Sequence, residues 1–88
     1  MIVLMQLAGI PIGDRDVLEL ARLLREVRFE RVAEKLVKGY VAQTRVLALT
    51  IEDREAILRA LDDPPDGLAE LRGVLLREHE RRMREGLV

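Results

Sequence analysis

Apolar residues recur at three- and four-residue steps over most of this 88-residue chain, and this spacing limits the possible folds more than any other feature. Side chains at such steps lie on one face of a helix, where they can be buried together. The stretches 14–26 and 29–43 keep the pattern, with charged residues on the opposite faces. They predict two amphipathic helices joined by a tight turn near Arg28.

Details of these two helices depend on single residues. Asp14 is expected to cap the first helix, and Leu18 is expected to widen its apolar stripe. Gly39 could end the second helix as a C-cap, or the helix could run through it. We favour continuation, because Tyr40 and Val41 extend the apolar stripe.

Two further helices are predicted at 51–62 and 67–85. Thr50 and Asp53 have the spacing of a capping box at the start of the third helix. Two consecutive prolines, Pro64 and Pro65, end that helix. The apolar pattern of the fourth helix disappears after residue 77, which predicts a solvated segment with ion pairs such as Glu78–Arg82.

Residues 1–8 form a short, apolar stretch rich in Ile, Val and Leu, which predicts a buried strand. Apart from Gln6, both of its faces are apolar, which is typical of a strand buried on both sides. A second extended segment near 45–49 could pair with it, since a lone strand leaves its backbone groups unpaired. The expected fold class is therefore mainly α, with about four helices and this short strand, in one domain spanning 1–88.

The chain has no cysteine, so it has neither disulfides nor a thiolate metal site, and a reducing cytoplasm is the expected compartment. We predict no cofactor. The first twelve residues are too few to span a bilayer, so we predict no membrane segment. The formal net charge is −1, which gives no overall attraction to nucleic acid.

Charge is unevenly distributed along the chain. Residues 27–50 contain five basic and two acidic residues, a net +3, and residues 51–66 contain two basic and six acidic residues, a net −4. Ordinary solvated helix faces would explain this. Alternatively, the two patches meet within the fold or between subunits.

The residues that could perform catalysis are few. Serine and cysteine are absent, which excludes Ser–His and Cys–His devices. His79 is the only histidine and is expected to be a solvated helix-surface residue. The carboxylates of Asp62, Asp63 and Asp66 lack the ligand spacing of a calcium loop and suit a helix-terminating turn. We therefore predict that the protein is not an enzyme.

Residues 1–43 have the order strand, helix, turn, helix, which is that of a ribbon-helix-helix DNA-binding subunit. The apolar faces of the strand do not fit groove recognition. Further along, Leu49, Thr50, Asp53, Ala60, Leu61, Pro64 and Pro65 resemble the C-terminal segment of type II antitoxins that neutralise acetyltransferase toxins. This resemblance implies a transcriptional regulator that binds DNA and a toxin. The whole chain also resembles small bacterial helical proteins, which implies no function.

Two functional hypotheses follow. The first is a non-enzymatic interaction or scaffold module that forms a homodimer or a larger homo-oligomer, or that binds another protein. Its expected interface residues are Ile2, Val3, Leu4, Met5 and Leu7. These five could instead form internal core, in which case the charged helix 77–85 becomes the better partner surface. The second hypothesis is the antitoxin-like regulator, which requires salt-dependent DNA binding through the +3 region.

Overall fold

A computed structural model of the protein describes residues 5–7, 10–43 and 47–86. Two strands, four α-helices and one 3₁₀ turn lie within these residues. In chain order they are β1 (Met5–Leu7), β2 (Ile10–Ile12), α1 (Asp14–Glu26), α2 (Glu30–Val41), α3 (Ile51–Ala60), the 3₁₀ turn (Asp66–Leu68) and α4 (Ala69–Arg84). The prediction of a mainly α fold with four helices and an N-terminal strand is confirmed.

The partner of β1 differs from the one predicted. β1 pairs in antiparallel register with β2, with Gln6 opposite Pro11. Of the predicted segment 45–49, residues 45 and 46 lie outside the described residues. Residues 47–49 are not in a strand, although Leu47 N–H donates to the carbonyl of Gln6 at 3.4 Å. A hairpin between neighbouring segments closes a much shorter loop than a pairing across two helices, so its entropic cost is smaller.

The hairpin buries one face only. Leu7 and Ile12 are buried in the core, whereas Gln6 and Pro11 are exposed. The expectation of a strand buried on both sides is therefore wrong for the described part of β1. Alternation of buried and exposed residues is the usual pattern for an antiparallel pair with one solvated face.

Helices α1 and α2 form an antiparallel helical hairpin. Arg28 turns the chain in the left-handed region, with φ of 67°, and Phe29 N–H donates to the carbonyl of Leu24 at 2.8 Å. Helix α2 runs through Gly39, which is buried. It begins one residue later and ends two residues earlier than the predicted stretch 29–43.

Two details of α1 differ from expectation. The N-cap residue is Gly13, and Asp14 is the first helical residue, where no side-chain cap is formed. Its carboxylate lies in the first turn and still interacts favourably with the helix dipole. Leu18 does not widen the buried stripe, because 64% of it is exposed.

Helix α3 begins with the predicted capping box. Asp53 N–H donates to Thr50 Oγ1 at 3.1 Å, and Thr50 N–H donates to Asp53 Oδ2 at 3.0 Å. The helix ends at Ala60, two residues before the predicted end. The 3₁₀ turn precedes α4, so α4 begins two residues later than predicted.

Buried aliphatic side chains from the hairpin and all four α-helices form one core cluster. Helix α1 contributes Val17, Leu20, Ala21 and Leu24, and α4 contributes Leu71 and Leu75. Among the described residues, no helix combines the length and the apolar character needed to cross a membrane.

Candidate interaction surface

A cleft of about 530 Å³ lies between the start of α2 and the exposed side of α3. We call it the α2–α3 cleft. Its lining is Arg28, Phe29, Glu30, Arg31, Val32, Glu52, Asp53, Glu55, Ala56 and Arg59. Ala56 is buried, and Phe29 and Val32 are half-buried, so they give the cleft an apolar component surrounded by charged groups. Its volume is within the range of ligand-binding clefts.

The charged side chains of the cleft divide by helix. The side formed by the start of α2 has Arg28, Arg31 and Glu30, and the side formed by α3 has Glu52, Glu55 and Arg59. All six are exposed. Of the six, only Glu55 has a partner at salt-bridge distance within the described residues: its Oε1 lies 3.8 Å from Nε2 of the neutral His79. The other charges are therefore available to a binding partner.

An ion pair between Lys35 on α2 and Asp53 on α3 joins the two helices. It is the point at which the +3 and −4 patches meet within the fold. Burial alone would raise the pKa of Asp53. Hydrogen bonds from Lys35 and from the Thr50 backbone outweigh it, so the pKa lies below the usual value.

The predicted interface residues have different positions. Ile2, Val3 and Leu4 lie outside the described residues. Met5 begins β1, and its backbone partner is Ile12. Leu7 is fully buried, so in this chain it belongs to the core, which is the alternative that the sequence left open. The interface role of Ile2, Val3, Leu4 and Met5 stays a prediction.

The hairpin offers poor edges for pairing with another strand. The Gln6 carbonyl accepts a hydrogen bond from Leu47, so Gln6 turns its backbone groups away from β2. Pro11, directly opposite Gln6, must also turn outward, because such pairs exchange no hydrogen bonds. Proline has no N–H to donate, so the outer edge of β2 lacks a donor at this position. Strand addition is therefore disfavoured on both sides.

Among the side chains whose exposure the structure describes, four large apolar ones are exposed. They are Leu18 (64% exposed), Val27 (41%), Val41 (74%) and Met83 (50%). Val27 directly precedes Arg28 of the α2–α3 cleft. Single exposed apolar residues are normal on protein surfaces, so we assign significance only to the one beside the cleft.

His79 is not solvated as expected. It is half-buried, and its Nδ1 accepts a hydrogen bond from Arg54 Nε at 3.0 Å. Because a guanidinium can only donate, the imidazole proton is placed on Nε2, which faces Glu55. Sequence reasoning missed Arg54, although it lies three residues before the buried Ile57, on the apolar side of α3. That spacing could have identified it.

The other described ion pairs join residues three or four positions apart on one helix. The predicted pair in α4 is present: Arg82 Nε donates to Glu78 Oε1 at 2.7 Å, and Arg81 also donates to Glu78 at 2.8 Å. These two hydrogen bonds lower the pKa of Glu78. Within the described ranges, no three His, Asp or Glu side chains are grouped closely enough to hold a metal ion.

Comparison with protein-family models, with curated proteins and with solved structures gives no significant match. The antitoxin resemblance of residues 49–65 therefore stays a prediction from the sequence. In a ribbon-helix-helix dimer the strand pairs with that of another chain. Here β1 pairs with β2 of its own chain.

Proposed function

We propose that this protein is a small, non-enzymatic interaction module that forms a homodimer through the α2–α3 cleft. The observation that supports this is the division of exposed charge across the cleft. The α2 side has two basic residues and one acidic residue, and the α3 side has two acidic residues and one basic residue. A surface with adjacent basic and acidic sides is complementary to itself after a two-fold rotation, as a symmetric dimer requires.

Apolar area strengthens the proposal. Phe29 and Val32 are half-buried in the cleft, and Val27 is exposed beside it. Covering them in a dimer would remove apolar surface from water at about 25 cal/mol per Å². A small chain without disulfides has a modest core, so association with a second copy would add to its stability.

The test is a measurement of molar mass by light scattering over a concentration series. We expect the wild-type chain to dimerise, and Arg31→Glu and Glu52→Arg each to weaken the dimer. In an equimolar mixture of the two variants, both charge contacts are restored, because each chain supplies the charge that the other lacks. The mixture should therefore dimerise more tightly than either variant alone. Lys38→Glu, an exposed change on α2 outside the cleft, is the matched control.

Two results would contradict the proposal in different ways. A wild-type chain that is monomeric at every concentration would exclude self-association altogether. A dimer that persists in both cleft variants, but is lost when Ile2, Val3 and Leu4 are deleted, would move the interface to the N-terminal segment. The deletion leaves β1 (Met5–Leu7) intact, so its effect reports on the removed residues and not on Leu7 in the core.

A further inference from the structure

Arg54 on α3 is a buried cation without a carboxylate partner. Only 1% of the residue is exposed. Its Nε donates to His79 Nδ1 at 3.0 Å and its Nη1 donates to the Leu49 carbonyl at 2.9 Å, which are both neutral acceptors. Nη2 is buried and has no hydrogen-bond partner. Within the described residues, no carboxylate forms an ion pair with this guanidinium.

This arrangement is costly for the fold. A buried charge is tolerated when an opposite charge and a full set of hydrogen bonds compensate for its lost hydration. Arg54 feels the carboxylates of Glu78, Asp53 and Glu55 only from beyond ion-pair distance, and its Nη2 has no hydrogen bond. Burial, followed by the nearby positive charge of Arg82, lowers the pKa of Arg54. A residue of this kind is unfavourable for stability, so its presence indicates that another state of the protein makes better use of it.

Two residues of α4, the helix that covers Arg54, are buried. Helix α4 packs on α3 and on the preceding 3₁₀ turn. On its inner face Leu71, Leu75 and His79 follow one another at four-residue steps, and the first two are buried. Residues beyond Arg82 are exposed. The prolines at 64 and 65 separate α4 from α3, so the helix can leave as a unit while α3 keeps its own hydrogen bonds.

We propose that α4 is a displaceable cover, and that the α3 face beneath it binds an amphipathic helix from a partner. This helix would present apolar residues in place of Leu71 and Leu75, and a carboxylate in place of His79. Because carboxylates accept two parallel hydrogen bonds from a guanidinium, such a helix would satisfy Nη2 as well as Nε of Arg54. This surface adjoins the α2–α3 cleft at Glu55, but the proposal does not require dimer formation.

The first experiment replaces the acceptor within the chain. His79→Glu is compared with His79→Gln, both combined with Glu55→Gln, because Glu55 faces this position and would repel a new carboxylate. We expect backbone amides of α4 to exchange with deuterium about tenfold more slowly with Glu than with Gln, as charged hydrogen bonds are the stronger ones. The difference should disappear when Arg54→Met is added, which separates pairing with Arg54 from pairing with the neighbouring Arg82.

The second experiment measures recognition of a separate helix. The probe is a labelled peptide with the sequence of α4 (Ala69–Arg84), carrying either His or Glu at position 79. It is added to the full chain with Leu75→Ala, which weakens docking of the chain's own α4. Fluorescence anisotropy should show about tenfold tighter binding of the Glu peptide, a preference that Arg54→Met should remove.

Equal binding of the two peptides, or no binding of either, would overturn the proposal. It would also be overturned if α4 amides in the wild-type chain exchanged only through global unfolding, because the cover would then never open separately. A preference for the Glu peptide that persists in Arg54→Met would locate the charge recognition elsewhere and would equally exclude this role for Arg54. None of these outcomes depends on whether the chain dimerises through its cleft.

Discussion

Lys35 on α2 donates a hydrogen bond to Oδ2 of Asp53 on α3, the same oxygen that accepts the backbone N–H of Thr50. One carboxylate therefore completes the capping box of α3 and joins α3 to α2. The contact lies at the edge of the α2–α3 cleft and fixes the separation of its two sides. The Asp53 carboxylate thus takes part in a local capping interaction and in a tertiary contact between two helices.

Loss of the capping box should destabilise the protein measurably. Thr50→Ala removes the acceptor for Asp53 N–H, and we expect a loss of about 1 kcal/mol in the free energy of unfolding. Glu34→Ala, an exposed change on α2 outside the cleft and without a described partner, is the control and should change stability by less than about 0.5 kcal/mol. Urea denaturation measures both. Equal effects of the two substitutions would show that the box contributes nothing.

Stability should depend on pH through Asp53. Since its pKa is lowered in the folded state, the unfolded state binds the proton more tightly. The contribution of Asp53 to stability is thus complete above the unfolded pKa of about 3.9, and is lost as the pH falls through the lower folded pKa. Denaturation midpoints measured between neutral and acidic pH should fall less steeply in Asp53→Asn than in the wild-type chain. Parallel curves would contradict this assignment.

Two leucines of α1 should respond differently to the same substitution. Leu20 is fully buried, so Leu20→Ala should reduce the free energy of unfolding by about 2–5 kcal/mol through lost burial and an unfilled cavity. Leu18 is 64% exposed, and Leu18→Ala should cost less than about 0.5 kcal/mol. Chemical denaturation distinguishes them. A large cost at Leu18 would mean that this side chain is buried in solution, for example by another chain.

The turn between α1 and α2 should tolerate glycine. Arg28 has φ of 67°, a conformation that costs a residue with a Cβ about 1–2 kcal/mol, and glycine adopts it freely. Glycine also increases the conformational entropy of the unfolded state, which offsets part of this gain. Arg28→Gly should therefore stabilise the protein by about 0.5 kcal/mol. Arg25→Gly, in the last turn of α1, should instead destabilise it by about 1 kcal/mol. Thermal unfolding would show opposite shifts, and shifts of the same sign would refute the argument.

Pro11 should protect the outer edge of the hairpin. Pro11→Val restores an N–H donor at an exposed, outward-facing position of β2 and raises β-propensity. We expect this variant to form more high-mass species, detectable by light scattering during storage at high concentration. Gln6→Val, an equally exposed change on β1 that adds no backbone donor, is the control for added apolar area. If both variants aggregate alike, side-chain hydrophobicity and not the edge is responsible.

Helix positions could be predicted because they depend on neighbours in the chain. The stripe from Val17 to Leu24 and the capping box of Thr50 and Asp53 involve residues within one or two turns of each other. The choice of Ile10–Ile12 as the partner of β1 could not be predicted in this way. A proline is unfavourable within a strand because it has no N–H to donate. Pro11 is acceptable in β2 only because its backbone faces outward.

The candidate site was less accessible to prediction than the helices. The charges of Arg28, Arg31, Glu52 and Glu55 were visible as a basic and an acidic stretch, but their meeting around one cleft required the packing of α2 against α3. His79 and Arg54 are 25 residues apart, so no local pattern indicates their hydrogen bond. The burial of Arg54 was not predicted, and only its place on the same helix face as Ile57 could have indicated it.

By itself, the sequence determined which segments are helical, where α3 is capped and where two prolines separate it from α4, because those features depend on short-range geometry. Only the tertiary structure decided which strand β1 joins, which charges face one cleft and which arginine is buried beneath α4. These depend on contacts between distant segments, and their energies arise from burial and from charge pairing that exist only after the chain has folded.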